Sequence, residues 1–254
     1  YVIWVDVAHS GAERKSMISK DEHAETVPLP FKFPYYGKVY EHVRIHSNGN
    51  LVLGDGTENI NLIGSYEIPN TQIPNGVIAG FWDDLECRSY CRVYAGTPRH
   101  ENYEGADQMF VVEFSDIRFY QDTTGKVITF QIHMLASGVI RIVYKDLRNG
   151  KSTPPNTVFT TVGLESPDGT GAIEITDMVP WNDCCDGSVQ KYWAAVFDPV
   201  VVPAAYDWPG YTLVPGESNN LPFAFWSNQS KWLWYRFNAV DSTGNYRESR
   251  VLPV

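Results

Sequence analysis

Apolar residues recur at every second position along much of this chain. Over residues 127–135, Ile128, Phe130, Ile132 and Met134 fall on one side, and Thr129, Gln131 and His133 on the other. Ser137-Gly138 then supplies a turn, and Ile140, Ile142 and Tyr144 resume the alternation against Arg141 and Lys145. That pattern predicts a β-hairpin with one buried face. Phe110, Val112 and Phe114 predict another strand, and Val158, Thr160, Val162 and Leu164 a further one. Val43 and Ile45 alternate with His42, Arg44 and His46, and Asn48-Gly49-Asn50 turns the chain into Leu51-Val52-Leu53. No window carries a helical stripe longer than two turns. Short strands separated by turn signals predict an all-β chain, an antiparallel β-sandwich or jelly roll.

The alternation weakens after residue 198. Residues 199–209, rich in Pro and Val, read as a linker that closes a sandwich of residues 1–198. Residues 210–254 are too few to fold alone, yet Phe223, Phe225, Trp226, Trp232, Trp234, Tyr235 and Phe237 crowd into them. Such an aromatic arm must be buried, either on its own sandwich or on another chain.

Composition narrows the function. The formal net charge of −10 opposes phosphate backbones and anionic lipid surfaces, so no nucleic acid is expected, and no run of about 18 apolar residues provides for membrane insertion. The chain holds no phosphate-binding loop, no dinucleotide-binding glycine motif, no HExxH and no GxSxG, and no pair of carboxylates stands out. A non-enzymatic protein is therefore expected. Asp83-Asp84 beside Trp82 could hold calcium, but the stronger reading is a strand end with Trp82 packed and the carboxylates fixing a turn. No other metal or cofactor is expected. His42 and His46 lie about 13 Å apart on a strand, too far to chelate easily, and are expected to be exposed.

The four cysteines form two close pairs, Cys87/Cys91 and Cys184/Cys185. The spacing does not suit zinc, so disulfides and an oxidising compartment are expected. Three pairings are open. Two of them cross-link the two loops and are preferred, because the third needs a bridge between the adjacent Cys184 and Cys185. Asn228-Gln229-Ser230 is a candidate glycosylation sequon.

Several phrases occur in an order that resembles the nidogen-like (NIDO) extracellular β-sandwich domain. They are Leu29-Pro-Phe-Lys-Phe-Pro-Tyr-Tyr-Gly37, Ile45-His-Ser-Asn-Gly-Asn-Leu51, Ile68-Pro69, Ile78-Ala-Gly-Phe-Trp-Asp-Asp-Leu85, Phe130-Gln-Ile-His-Met-Leu135, Gly138-Val-Ile-Arg-Ile-Val-Tyr144 and Val162-Gly-Leu-Glu-Ser-Pro-Asp-Gly169. The resemblance spans about residues 1–197. It implies an extracellular module, secreted or at the cell surface, as in matrix, mucin-type and plexin-domain-containing proteins and secreted bacterial proteins. It assigns no binding residue. The run from Trp234 to Tyr246 resembles the last strands of a bacterial immunoglobulin-like module.

Two functions follow as expectations. The first is a structural or adhesive extracellular subunit that contacts copies of itself or other extracellular proteins. Its arm would donate a strand to a neighbour and so build a filament. The second is a carbohydrate-binding accessory module of a larger secreted protein, with exposed aromatics as glycan platforms.

Overall fold

A computed structural model describes residues 4–7, 12–14, 21–56, 64–88, 90–98, 108–147, 160–179, 193–202, 232–241 and 246–248, with backbone alone from residue 198 onward. The strands form two antiparallel sheets. The shorter sheet contains β2 (Ala24–Tyr35), β3 (Lys38–His46), β4 (Asn50–Leu53), β5 (Val77–Trp82), β11 (Thr161–Glu165) and β12 (Ala172–Glu174), in the order β12-β11-β5-β4-β3-β2. The longer sheet contains β1 (Glu13–Arg14), β7 (Arg92–Gly96), β8 (Met109–Phe119), β9 (Ile128–Leu135), β10 (Ile140–Asp146), β13 (Trp193–Val202), β14 (Trp232–Asp241) and β15 (Tyr246–Glu248), in that order across the sheet. A short β6 (Leu85–Glu86) also pairs with β8. One 3-10 turn, Thr176–Met178, follows β12. The all-β sandwich expected from the alternation is present. No helix among the described residues is long and apolar enough to cross a membrane.

The predicted alternation sets the core. Ile128, Phe130, Ile132 and Met134 of β9 are fully buried between the sheets, with Phe110, Val112 and Phe114 of β8 and Ile140, Ile142 and Tyr144 of β10. Val43, Ile45, Leu51, Ile78, Val162 and Leu164 face them from the short sheet. Phe114 stacks on Phe130, with ring centroids 4.8 Å apart. The chain reverses at Gly138, whose N–H donates to the Leu135 carbonyl at 2.8 Å. The strand foreseen over residues 158–164 begins at Thr161. Thr160 precedes it, and Val158 lies outside the described residues.

The two sheets approach each other closely at Gly80. The Tyr144 hydroxyl, from the long sheet, donates to the Gly80 carbonyl in the short one. A Cβ on Gly80 would stand 2.6 Å from Ile132 Cδ1 and 2.6 Å from Phe130 Cε2. β8 bulges between Phe114 and Ile117, where Asp116 has φ +57° and donates its N–H to the Thr129 hydroxyl at 3.0 Å.

The outer faces depart from the simple polar-out pattern. Thr129, Gln131 and His133 are buried, because residues 4–7 lie over that face of the long sheet. Val7, Met109, Val111 and Leu135 make a second apolar cluster there. Val52, Ile68, Val77, Ala79 and Trp82 make a third on the outer side of the short sheet. His46, expected to be exposed, is buried as well.

The disulfide expectation needs correction. Cys87 and Cys91 bond to each other across a Cα–Cα distance of 5.1 Å. That pairing removes both preferred cross-links to Cys184 or Cys185, which lie outside the described residues. The cause is local: the Cys91 N–H donates to the Arg88 carbonyl at 2.9 Å, a turn that brings both buried sulfurs together within the core. Closing so short a loop contributes about 2 kcal/mol in the chain-entropy account.

Residues 199–202, assigned above to the linker, continue β13. β14 pairs with β13 along its whole length, from Trp193↔Asp241 to Val202↔Trp232, and β15 pairs with β14. Trp232, Trp234, Tyr235 and Phe237 of the aromatic arm thus lie on a strand of the same chain's sheet. Phe223, Phe225, Trp226 and Asn228 lie outside the described residues.

Gly80→Ala is expected to lower stability by about 1–3 kcal/mol through overpacking between the sheets. Urea denaturation should show a lower midpoint at an unchanged slope.

Candidate functional site: an acidic pole

One end of the sandwich gathers carboxylates. Its frame is the Asn48-Gly49 turn between β3 and β4. Gly49 has φ +79°, and a Cβ there would lie 2.1 Å from the Phe81 carbonyl oxygen, so only glycine lets the turn approach β5 this closely. The Gly49 carbonyl accepts from the Phe81 N–H at 3.1 Å, and the Asn48 carbonyl accepts from the Asp83 N–H at 3.2 Å. Asn48 Oδ1 accepts from the Leu85 N–H at 3.1 Å, and its Nδ2 donates to Glu22 Oε2 at 3.3 Å. Ser47 ties in the segment before β2: its hydroxyl donates to the Asp21 carbonyl and accepts from the His23 N–H. One turn therefore fixes residues 21–23 and 83–85 side by side.

The consequence is a cluster of Asp21, Glu22 and Asp84, each able to place one carboxylate oxygen within 4.8 Å of the others. Asp21 and Asp84 are partly buried, and Glu22 is the most exposed of the three. Glu86 stands nearby, bonded to Arg88 at 2.5 Å and accepting from the Gln121 N–H at 3.0 Å. Burial is the first cause that raises each carboxyl. Glu22 is pushed up to about 7 by burial, a shift opposed by its bond to Asn48 and reinforced by Asp21 and Asp84. Asp84 is raised by burial and then by Asp21, Asp83 and Glu86. Asp21 is raised by burial and then by Glu86. An all-oxygen set of this kind suits a hard cation such as calcium, whose charge would relieve the repulsion.

The two carboxylates singled out in the sequence part ways. Asp83 is buried and structural: Oδ1 accepts from the Asp84 N–H at 2.8 Å, and Oδ2 accepts from the Thr160 hydroxyl. Trp82 beside it is buried against Tyr66. Asp84 alone joins the cluster. Its partners Asp21 and Glu22, and Asn48 that positions them, carry no sequence signal beyond a charged pair and a turn. Their convergence depends on pairing across the sheet. Two large apolar rings are exposed at this end. Tyr90, 78% exposed, rides on the disulfide loop, and Tyr120, 43% exposed, donates its N–H to the Asp84 carbonyl at 2.9 Å.

A family described as NIDO related matches residues 3–180. The chain belongs to that family. The match covers most of the sandwich and stops before β13, so it leaves the arm's immunoglobulin-like resemblance untested. No curated protein and no solved structure matches the chain. The NIDO-related match and the disulfide both point to an extracellular domain of a larger protein.

Titration of this fold has two opposed limbs. Glu22 and Glu165, both raised to about 7, favour the folded state fully below pH 4.5, and that contribution is lost as pH climbs to about 7. His46 and His133, held down to about 3 by burial, act the other way, and their contribution is lost as pH falls below 6.5. Thermal denaturation across pH 4–8 should therefore show stability falling toward both ends. Glu22→Gln should flatten the alkaline limb in part and make the acid limb begin at a higher pH, because the Glu22 and histidine windows overlap between pH 4.5 and 6.5.

Proposed function

We propose that this chain is a non-enzymatic structural or adhesive module of a larger extracellular protein, joined to neighbouring copies through the edge built by its C-terminal arm. The observation that carries this reading is the ladder between β13 and β14. It runs for ten residue pairs, whereas β10 pairs only with the first five residues of β13. Residues 198–202 and 232–236 consequently form a two-stranded ribbon past the part of β13 that β10 covers, whereas β15 pairs β14 only at residues 238–240. An isolated ribbon is marginally stable in water. Among the described residues no further strand pairs with its outer sides, and that edge with its Trp-rich sequence favours pairing with another strand. Exchange of this hairpin between copies would keep the same register and would extend head to tail, as strand donation does.

Light scattering tests the reading. The full chain is expected to associate as its concentration rises, and a chain ending at residue 202 is expected to stay monomeric while keeping its β spectrum. A monomeric full chain at high concentration would overturn the proposal.

A second reading rests on the acidic pole. Exposed Tyr90 and Tyr120 offer ring faces for sugar stacking, and Asp21, Glu22 and Asp84 would hold calcium beside them, giving a carbohydrate-binding accessory module. A glycan array run with calcium and again with chelator checks it. The expected result is binding lost on chelation and weakened at least tenfold by Tyr90→Ala. A blank array in calcium rejects it.

A further inference from the structure

The outer face of the long sheet holds a polar group that treats residues 4–7 as a β-strand would. Gln131, fully buried on β9, takes both backbone groups of Val5. The Val5 N–H donates to Gln131 Oε1 at 3.1 Å, and Gln131 Nε2 donates to the Val5 carbonyl at 2.5 Å. This is the two-bond exchange of paired strands, with a side-chain amide standing in for a peptide unit. The amide is oriented independently of residues 4–7. Gln131 Nε2 also donates to Glu113 Oε2 at 2.7 Å, and Gln131 Oε1 lies 2.8 Å from His133 Nε2. An amide oxygen only accepts, so His133 carries its proton on Nε2. The neutral ring that burial imposes agrees with this. Glu113, Gln131 and His133 stand on the adjacent central strands β8 and β9, in direct register at Glu113↔Gln131 and Val111↔His133. The seat is therefore built by the sheet before anything occupies it.

The apolar part of the seat is equally specific. Val7 is fully buried against Met109, Val111 and Leu135, and Val5 packs at the margin of the same cluster. Asp6, between them, is exposed. The Lys145 ammonium lies 5.1 Å from the Trp4 ring centroid. Residues 4–7 thus present a period-two pattern to the sheet while lying outside its ladders.

We propose that this face is a capture site for an extended peptide, read through its backbone by Gln131 and through alternate valine-like side chains by the Met109–Val111–Leu135 cluster. Its occupant is the chain's own residues 4–7, which act as a releasable latch. The attachment is local, a four-residue stretch that lies outside the sheet's ladders, so it opens at lower cost than the strands beneath it.

Hydrogen exchange on the full-length chain tests the latch. Gln131→Leu is expected to speed exchange of the Val5 amide at least tenfold, while the amides of β8, β9 and β10 keep their protection. A second variant tests the seat itself. Val7→Asp in the full-length chain places a charge against the apolar cluster and releases the latch. That chain should then bind a fluorescein-labelled peptide with the sequence of residues 1–7 saturably, by anisotropy. The Val7→Asp/Gln131→Leu double variant should bind it at least tenfold more weakly. Unchanged Val5 exchange in Gln131→Leu would overturn the proposal, as would absence of saturable peptide uptake by the Val7→Asp chain.

Discussion

The close approach of the two sheets at Gly80 is the constraint on which the rest of this molecule rests. A side chain there would occupy the space of Ile132 and Phe130, and its absence lets both settle against β5. The same proximity brings the Tyr144 hydroxyl to the Gly80 carbonyl. A buried phenol without a partner would cost about 1–3 kcal/mol, so the bond makes an aromatic core position compatible with a polar atom. Phe114, Phe130, Tyr144 and Trp193 then follow one another as a row of ring contacts from β8 to β13. Phe130 carries that row across to Phe81 of β5, with ring centroids 6.2 Å apart, and so ties the long sheet's inner face to the short sheet beside Gly80.

The acidic pole rests on the Asn48-Gly49 turn, which packs on the same strand β5. Repulsion among Asp21, Glu22 and Asp84 would drive freely jointed side chains apart. Here backbone bonds from the Asn48-Gly49 turn hold the segments that carry them, and these bonds are indifferent to charge. The energy of crowding like charges is drawn from the stability of the turn, as is common where a surface is arranged to meet something else. Asn48 serves both sides of this balance. Its oxygen fixes the β6 strand, and its nitrogen offers Glu22 the one side-chain bond that favours the ionised form.

Much of the fold was legible because the period of two survives wherever one face is buried. Ile128 to Met134 and Ile140 to Tyr144 could be read directly, and the Asn-Gly turn announced itself by its residue types. The outer faces misled for a physical reason. Polar residues at Thr129, Gln131 and His133 signal water only if nothing lies over the sheet, and residues 4–7 lie over it from more than a hundred positions away. His46, expected on an exposed face, is buried too. The strain of a bridge between adjacent Cys184 and Cys185 argued for loop cross-links, whereas a tight turn at Arg88 already brings Cys87 and Cys91 together. The candidate site was half legible. Asp84 sits in a distinctive phrase, but Asp21 and Glu22 become its neighbours only through pairing from β2 through β3 and β4 to β5, which composition does not encode.

The arm shows how a proline can mark the end of a partnership without ending a strand. β10 begins at Ile140, opposite Phe197, and the chain before it turns away at Gly138. Pro199 therefore sits where β13 has already lost its β10 neighbour. A residue that brings no backbone N–H is tolerated there, as it is on sheet edges. Its register partner Tyr235 shows that the strand continues on the other side. Proline-rich composition at residues 199–203 thus fits a strand paired on one side only, as well as it fits a linker. The two differ in consequence. A linker would leave the arm to find its own place, whereas a continuing strand fixes the register of β14 and makes the arm the boundary of the sheet. Any neighbour that adds to this side of the long sheet must therefore meet the arm first, and must either pair with β15 or take the place of the hairpin on β13.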